Sequence, residues 1–390
     1  MLNLKIFSVD HIIISFLSFL GIMICLYQTA SFGVGISPDS ISYISAARSI
    51  LDGNGIKVYT GEYYIYWPPL FPVLLAAFGF FGPDPSDVSR YLNAGIFGTI
   101  IILSGIWLSK NINNKGLIFF GVTLFSLSPV LIGISVYAWS EPLFILLILL
   151  WLNQITLFLN NNTLNHLVLA AIYVALATLT RYIGVITIAV SILLIITKPN
   201  IKYLDKLKSC ALFTLIASLP ISLWWLRTWF VSNTLTGTRT PSNESFIEAG
   251  IKALETLSGW LIPSWTSTAI RIPFLTVFLL MFFIVLIKSF PRTYTNLISY
   301  NAISSVHPHI IFLIMYTLFI TFLASSTAFD PLGDRLLSPI YISFWFLIIY
   351  TLDKLLNIDN FKKVNLFIVI LFGLWIAVYP ARFALFEAEK

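Results

Sequence analysis

The sequence predicts an all-α integral membrane protein of about eleven transmembrane helices, with two short helices lying along the membrane surface in its first long loop. Three observations predict it. Of the 390 residues, 58% are hydrophobic and 10% are charged, well below the usual quarter charged of a soluble domain. Apolar runs of span length recur along the whole chain, each long enough to cross about 30 Å of hydrocarbon. No segment is long and polar enough for a separate soluble domain and no internal repeat is visible, so residues 1–390 read as a single multispanning unit.

His11 to Phe32 is the first span, behind a short head containing Lys5. Read as a cleaved secretory signal it would end at Thr29-Ala30-Ser31. Its apolar run exceeds a signal core of roughly 7–15 residues, which favours an uncleaved anchor. The first long loop, residues 33–85, follows. Ser37 can cap a helix whose first position is Pro38, where a missing N–H costs nothing, and Asp39 then lies at the positive end of the helix dipole. Ile41, Ile44, Ala47 and Leu51 recur on one face, with Ser42, Arg48 and Asp52 pointing elsewhere. Gly53 and Gly55 break this helix. Pro68 and Pro69 then open a second one from Leu70 to Phe81, ended by Gly82-Pro83. At about 1.5 Å per residue it is too short to span, so it is expected along the interface.

Further spans are expected at about 87–109, 116–136 and 140–159. The run from Leu164 to Thr197 would be about 51 Å long as one helix, which no bilayer core accommodates. It must break, and Arg181-Tyr182-Ile183-Gly184 is the plausible place. Spans at about 209–231, 269–288, 309–326, 335–352 and 364–383 complete the set. A second long loop, 232–267, carries Arg239, Glu244, Glu248 and Trp260.

With a cytoplasmic amino end, the inside connections hold 12 of the 23 cations, clustered in short loops where charge bias is most informative. This places Asp39 on the side away from the cytoplasm. Eleven of those twelve are Lys, whereas eight of the remaining eleven are Arg: Arg48, Arg90, Arg181, Arg227, Arg239, Arg271, Arg335 and Arg382. Arginine's planar fork suits bidentate contact with phosphate oxygens, so this bias fits an outer-leaflet site that grips a lipid phosphate. Arginine also anchors helix ends by snorkelling. Arg181 at the forced break, Arg227 in Leu223-Trp224-Trp225-Leu226-Arg227 and Arg335 in Gly333-Asp334-Arg335 are the candidates for the former role.

Asp39, an acid where an apolar helix leaves the membrane, is the candidate reacting group. Glu141 in Trp139-Ser140-Glu141-Pro142 starts a span, where an acid most often serves the helix dipole. Glu62 is the candidate second acid, for a divalent metal or an acceptor; otherwise no cofactor is called for. Net charge +6 does not indicate nucleic acid, because no basic stripe interleaved with aromatics lies outside the apolar runs. Cys25 and Cys210 lie in apolar runs and match neither a disulfide framework nor a metal spacing. There is no Gly-rich strand-to-helix motif for a nucleotide-sugar donor.

Asp39-x-x-x-Tyr43-x-x-x-Ala47, Tyr66-Trp67-Pro68-Pro69-Leu70-Phe71-Pro72, Ser140-Glu141-Pro142, Thr180-Arg181-Tyr182, Trp225-Leu226-Arg227 and Asp334-Arg335-Leu336-Leu337-Ser338-Pro339 occur in that order. Together they resemble the GT-C superfamily, the multispanning glycosyltransferases that include protein O-mannosyltransferases and the aminoarabinose transferase of lipid A. The resemblance implies a GT-C fold in the cell membrane and inverting transfer of a sugar from a polyprenyl-phosphate donor. The acceptor would be a glycan, lipid or protein on the side away from the cytoplasm. It implies Asp39 as catalytic base and a donor-phosphate role for Arg181, Arg227 and Arg335. Tyr43, Trp67, Glu141 and Asp334, with Glu62, become candidates for acceptor contact or loop support. The chain departs from the pattern twice: Ser40 follows Asp39 where several members have an acidic pair, and Trp67 stands where the aminoarabinose branch has a Lys. The rival reading is a transporter or flippase for a lipid-linked or small anionic substrate, but charges gathered on one side, without related halves, do not suggest one. A non-catalytic subunit on the same scaffold is a third reading, against which the presence of Asp39 speaks.

Overall fold

The computed structural model describes residues 9–199, 202–262, 266–289, 305–328 and 330–356. These form helices α1 (Val9–Gln28), α2 (Pro38–Leu51), α3 (Leu70–Gly79), α4 (Pro85–Asn111), α5 (Lys115–Ser126), α6 (Pro129–Ser135), α7 (Glu141–Asn161), α8 (Leu164–Thr180), α9 (Ile186–Thr197), α10 (Tyr203–Ser232), α11 (Phe246–Leu261), α12 (Thr268–Ser289), α13 (His307–Ser326) and α14 (Asp334–Leu356). Among the described residues, seven helical segments are long and apolar enough to cross a membrane, and β-pairing is confined to isolated bridges. The protein is an all-α integral membrane protein. The span expected at 364–383 lies outside the described residues.

α14 is the hub of the bundle. It is enclosed along nearly its whole length and packs against α4, α5, α6, α7, α11, α12 and α13. Its aromatic residues fill the centre: Phe346 stacks on Trp107 of α4 with centroids 4.1 Å apart. Since lipid tails compete equally for apolar contact, such packing and internal hydrogen bonds hold membrane helices together.

The run 164–197 breaks where the sequence requires it. α8 ends at Thr180, Arg181 is extended (φ −147°), a 3-10 turn covers Tyr182–Val185, and α9 resumes. Gly184 makes the reversal feasible, because a Cβ there would stand 2.9 Å from the backbone of Ala177 and Thr178.

Several details differ from expectation. The segment 116–136 is two helices, α5 and α6, divided before Pro129, with Ser128 capping the second through the Leu131 N–H. The first-loop helix expected over Leu70–Phe81 closes at Gly79. The second long loop holds α11, opened by a capping box of Ser245 and Glu248. The buried face of α2 is Ser40, Ser42, Tyr43, Ile44, Ala46 and Ala47, whereas Ile41 and Leu51 are exposed. Small and hydroxyl residues join Tyr43 and Ile44 on the inner face because α2 packs tightly against α3 and α4, leaving Ile41 and Leu51 facing out. Arg48 anchors that packing by donating from Nε and Nη2 to the two oxygens of Asp84, each at 3.0 Å. This guanidinium holds the Asp84 carboxyl down at about 2.

The two ends of the bundle carry different cations. Lys198, just past α9, donates from Nζ to Phe158 O at 2.8 Å and so caps the last turn of α7. At the same end Asp353 of α14 accepts from the Asn113 and Asn114 N–H groups between α4 and α5. The starts of α2, α7 and α14 and the end of α8 meet at the opposite end, about 30 Å away along α7, and there the chain gathers arginines.

Candidate active site

A backbone strap and a side-chain clamp bring the acids together. Gly35 pairs with the 136–138 segment, Gly35 N donating to Val136 O at 2.8 Å and Ala138 N to Gly35 O at 3.0 Å. Only glycine permits this approach, since a Cβ at Gly35 would meet the Tyr137 ring at 2.7 Å. Asn93 of α4 grips the same segment, its Nδ2 donating to Tyr137 O and Trp139 O at 2.9 and 3.0 Å. Trp139 Nε1 then donates to Ser37 Oγ at 2.7 Å. Ser37 caps α2 and Ser140 precedes α7, so these contacts bring the N-termini of both helices together. Asp39 and Glu141 are the acids of their first turns.

Glu141 is fully buried. An isolated carboxylate there would lose its hydration and be strongly disfavoured. Its Oε1 is met at 2.6 Å both by Arg181 Nη1, placed by the α8 break, and by Arg335 Nε, from the first turn of α14. Its Oε2 has no hydrogen-bond partner among the described residues. Arg335 is the junction of the cluster. Besides Glu141 it holds Asp39 Oδ2 through Nη2 and Asp330 Oδ2 through Nη1 at 3.2 Å, while its guanidinium carbon lies 4.2 Å from the centre of the Trp139 ring. The Asp39 side chain keeps 24% of its exposure and Arg335 and Arg181 keep 18% each, so the cluster touches its surroundings along one edge.

Tyr43 closes the inner side. Its OH lies 3.2 Å from Ser140 Oγ, to which Arg181 Nη1 also donates at 3.4 Å. Its ring meets Trp67 and Phe71 edge-on at 6.0 and 5.2 Å; such pairs each contribute about 0.5–1.5 kcal/mol beyond area. Burial pushes the Tyr43 phenol upward, so it works as a neutral hydroxyl. Tyr316 OH donates to Leu336 O at 2.9 Å and Trp260 Nε1 donates to Asp334 Oδ1 at 2.8 Å, fixing the turn from which Arg335 projects.

Of the residues singled out in the sequence, the structure brings together Asp39, Tyr43, Trp67, Glu141, Arg181 and Arg335. Asp334 supports the cluster through Trp260. Arg227 stands in a neighbouring group. Its Nη1 donates to Tyr64 O at 2.7 Å and its guanidinium lies 4.7 Å over the Trp224 ring. Trp224 in turn donates to Tyr182 OH beside Arg181. Glu62 is exposed on the turn joining the bridged residues Lys57 and Tyr63 and takes no part in the cluster. Among the described residues no three His, Cys, Asp or Glu side chains converge as metal ligands. Asp330, Asn93 and the ring of Trp139 were not singled out. Trp139 sits beside the Ser-Glu-Pro motif and so carried a signal, whereas nothing local marks the other two.

The fold defines the class: an all-α, multispanning membrane protein. The solved structure of ArnT from Cupriavidus metallidurans in the apo state superposes with a TM-score of 0.58 and 11% identity, over 87% of this chain. That match spans 59% of the ArnT chain. The Saccharomyces cerevisiae Pmt1-Pmt2 protein O-mannosyltransferase complex, bound to its sugar donor, matches with a TM-score of 0.44 and 16% identity, over 66% of this chain and 37% of that one. No family model and no curated protein matches the sequence.

Proposed function

We propose that this protein is a glycosyltransferase that moves a sugar from a polyprenyl-phosphate donor to an acceptor hydroxyl or amine, with inversion, on the membrane face away from the cytoplasm. The observation that carries the reading is the Asp39–Arg335–Glu141–Arg181 cluster, open along one edge at the end of the bundle where arginine gathers. In this reaction the acceptor's heteroatom bonds to the anomeric carbon, the bond from that carbon to the phosphate oxygen breaks, and the bonding pair leaves with the lipid phosphate. The acceptor's proton passes to a carboxylate.

Asp39 suits that role better than Glu141. Arg335 engages Oδ2 of Asp39, leaving Oδ1 to take a proton, and the side chain is partly open. Glu141 is sealed and serves to hold two guanidiniums in place. A lipid phosphate leaves readily when fixed cations meet its charge, so preorganised guanidiniums supply the electrostatic part of the catalysis. Arg181, Arg335 and Arg227 are the proposed contacts. Arg227 has no carboxylate partner among the described residues. Tyr43, one helical turn beyond Asp39 on α2, packs against Trp67 on the inner side of the cluster.

The test is turnover of a pool of polyprenyl-phosphate sugars by purified protein. One donor is expected to be consumed, and Asp39→Asn is expected to slow turnover about 100- to 10,000-fold, the usual worth of a general base, while the protein stays folded. Unimpaired turnover by that variant removes Asp39 from the mechanism.

A further inference from the structure

The cluster carries three carboxylates, Asp39, Glu141 and Asp330, against two guanidiniums, Arg181 and Arg335. It therefore holds a net negative charge and, as it stands, repels the anion that the proposed donor must bring. The three acids are not equivalent. Glu141 is sealed and Asp39 is three-quarters buried, whereas the Asp330 side chain keeps 72% of its exposure. Asp330 also lies outside any helix, in the turn between α13 and α14, and touches Arg335 through Nη1 alone at 3.2 Å. Arg335 does not depend on that contact for its position, because Glu141, Asp39 and the Trp139 ring already fix it.

We propose that Asp330 is a displaceable occupant of the anion seat on Arg335, which the phosphate of an isoprenoid phosphodiester takes over on binding. This rests on the reading of the site as one for lipid-phosphate donors. The exchange is neutral in charge: one singly charged carboxylate swings out and one singly charged phosphodiester enters. Binding without displacement would instead set four anionic groups against the two guanidiniums of the cluster. Because the outgoing carboxylate is exposed, releasing it costs little. The carboxylate thus keeps the seat occupied when no donor is present and sets the donor's apparent affinity.

Calorimetric titration of the purified full chain with farnesyl methyl phosphate tests this. An exposed ion pair corresponds to a few-fold change in a binding constant, so Asp330→Asn is expected to bind about two- to fivefold more tightly than wild type. Asp330→Glu, which keeps the charge, is expected to bind like wild type. Asp330→Asn binding equally or more weakly overturns the displacement while leaving the lipid-phosphate reading intact. Absence of binding by wild type and variant alike overturns both.

Discussion

Glu141→Gln removes one negative charge and almost no volume. The amide oxygen can take the place of Oε1 and still accept from Arg181 and Arg335, while its NH2 enters the position of Oε2, which has no partner to lose. What disappears is the charge between two guanidiniums, both mostly enclosed. Breaking a buried ion pair by removing one partner costs about 3–5 kcal/mol. For a chain of this size that corresponds to a fall in melting temperature of roughly 6–10 °C, at about 2 °C per kcal/mol. Arg335 would still have Asp39 and Asp330, but Arg181 would have no carboxylate among the described residues, and a shift of about 1 Å in a positioning group can cost on the order of 100-fold in rate. The assay pairs thermal unfolding in detergent with steady-state glycosyl transfer. Both readouts are expected to fall together in Glu141→Gln, in contrast to Asp39→Asn, where the rate falls and the melting temperature stays within a few degrees. Wild-type stability and kcat in Glu141→Gln would refute the assignment of Glu141 as the anchor of the two arginines.

Two further outcomes follow from the fold. Gly184→Ala drives a Cβ against the backbone at the end of α8, a close contact with no side chain free to yield, and overpacking of this kind costs about 1–3 kcal/mol; reduced thermal stability together with reduced turnover is expected, and a variant unchanged in both would sink the account of how Arg181 is placed. Lys198 is lowered to about 8 by burial, so between about pH 8 and the ordinary lysine range the unfolded chain binds the extra proton and stability rises with pH; the melting temperature of wild type should climb through that window more than that of Lys198→Met, and coincident pH profiles would show that this ammonium is not the titrating group.

The sequence announced some of the site and concealed the rest, for reasons visible in individual residues. Arg181 was legible because a helix of that length cannot fit a bilayer and the only break lay beside it. Asp39 was legible because Ser37 and Pro38 are local signals read within one turn. Glu141 looked like an ordinary helix-start acid, since the two arginines that redefine it come 40 and 194 positions later in the chain. Asp330 gave no signal at all, because an exposed turn acid is unremarkable until a guanidinium lies against it. The inner face of α2 was only half legible, Ile44 and Ala47 lying inward as their spacing suggests and Ile41 and Leu51 outward, for a related reason. Aliphatic spacing predicts burial against lipid or a loose core, whereas close backbone packing against α3 and α4 selects small residues.

By itself, then, the sequence determined the architecture: apolar runs of span length must become helices, because hydrocarbon offers no partner for a free backbone N–H or C=O. It also anticipated that Arg181 and Arg335 lie together at one end of the bundle, with Lys198 at the other. Only the tertiary structure decided which charges meet. That outcome depends on a glycine strap at Gly35, an asparagine clamp at Asn93 and the register of α14 in the centre of the bundle. These are contacts between residues far apart in the chain, for which local propensity and hydrophobic pattern carry no record.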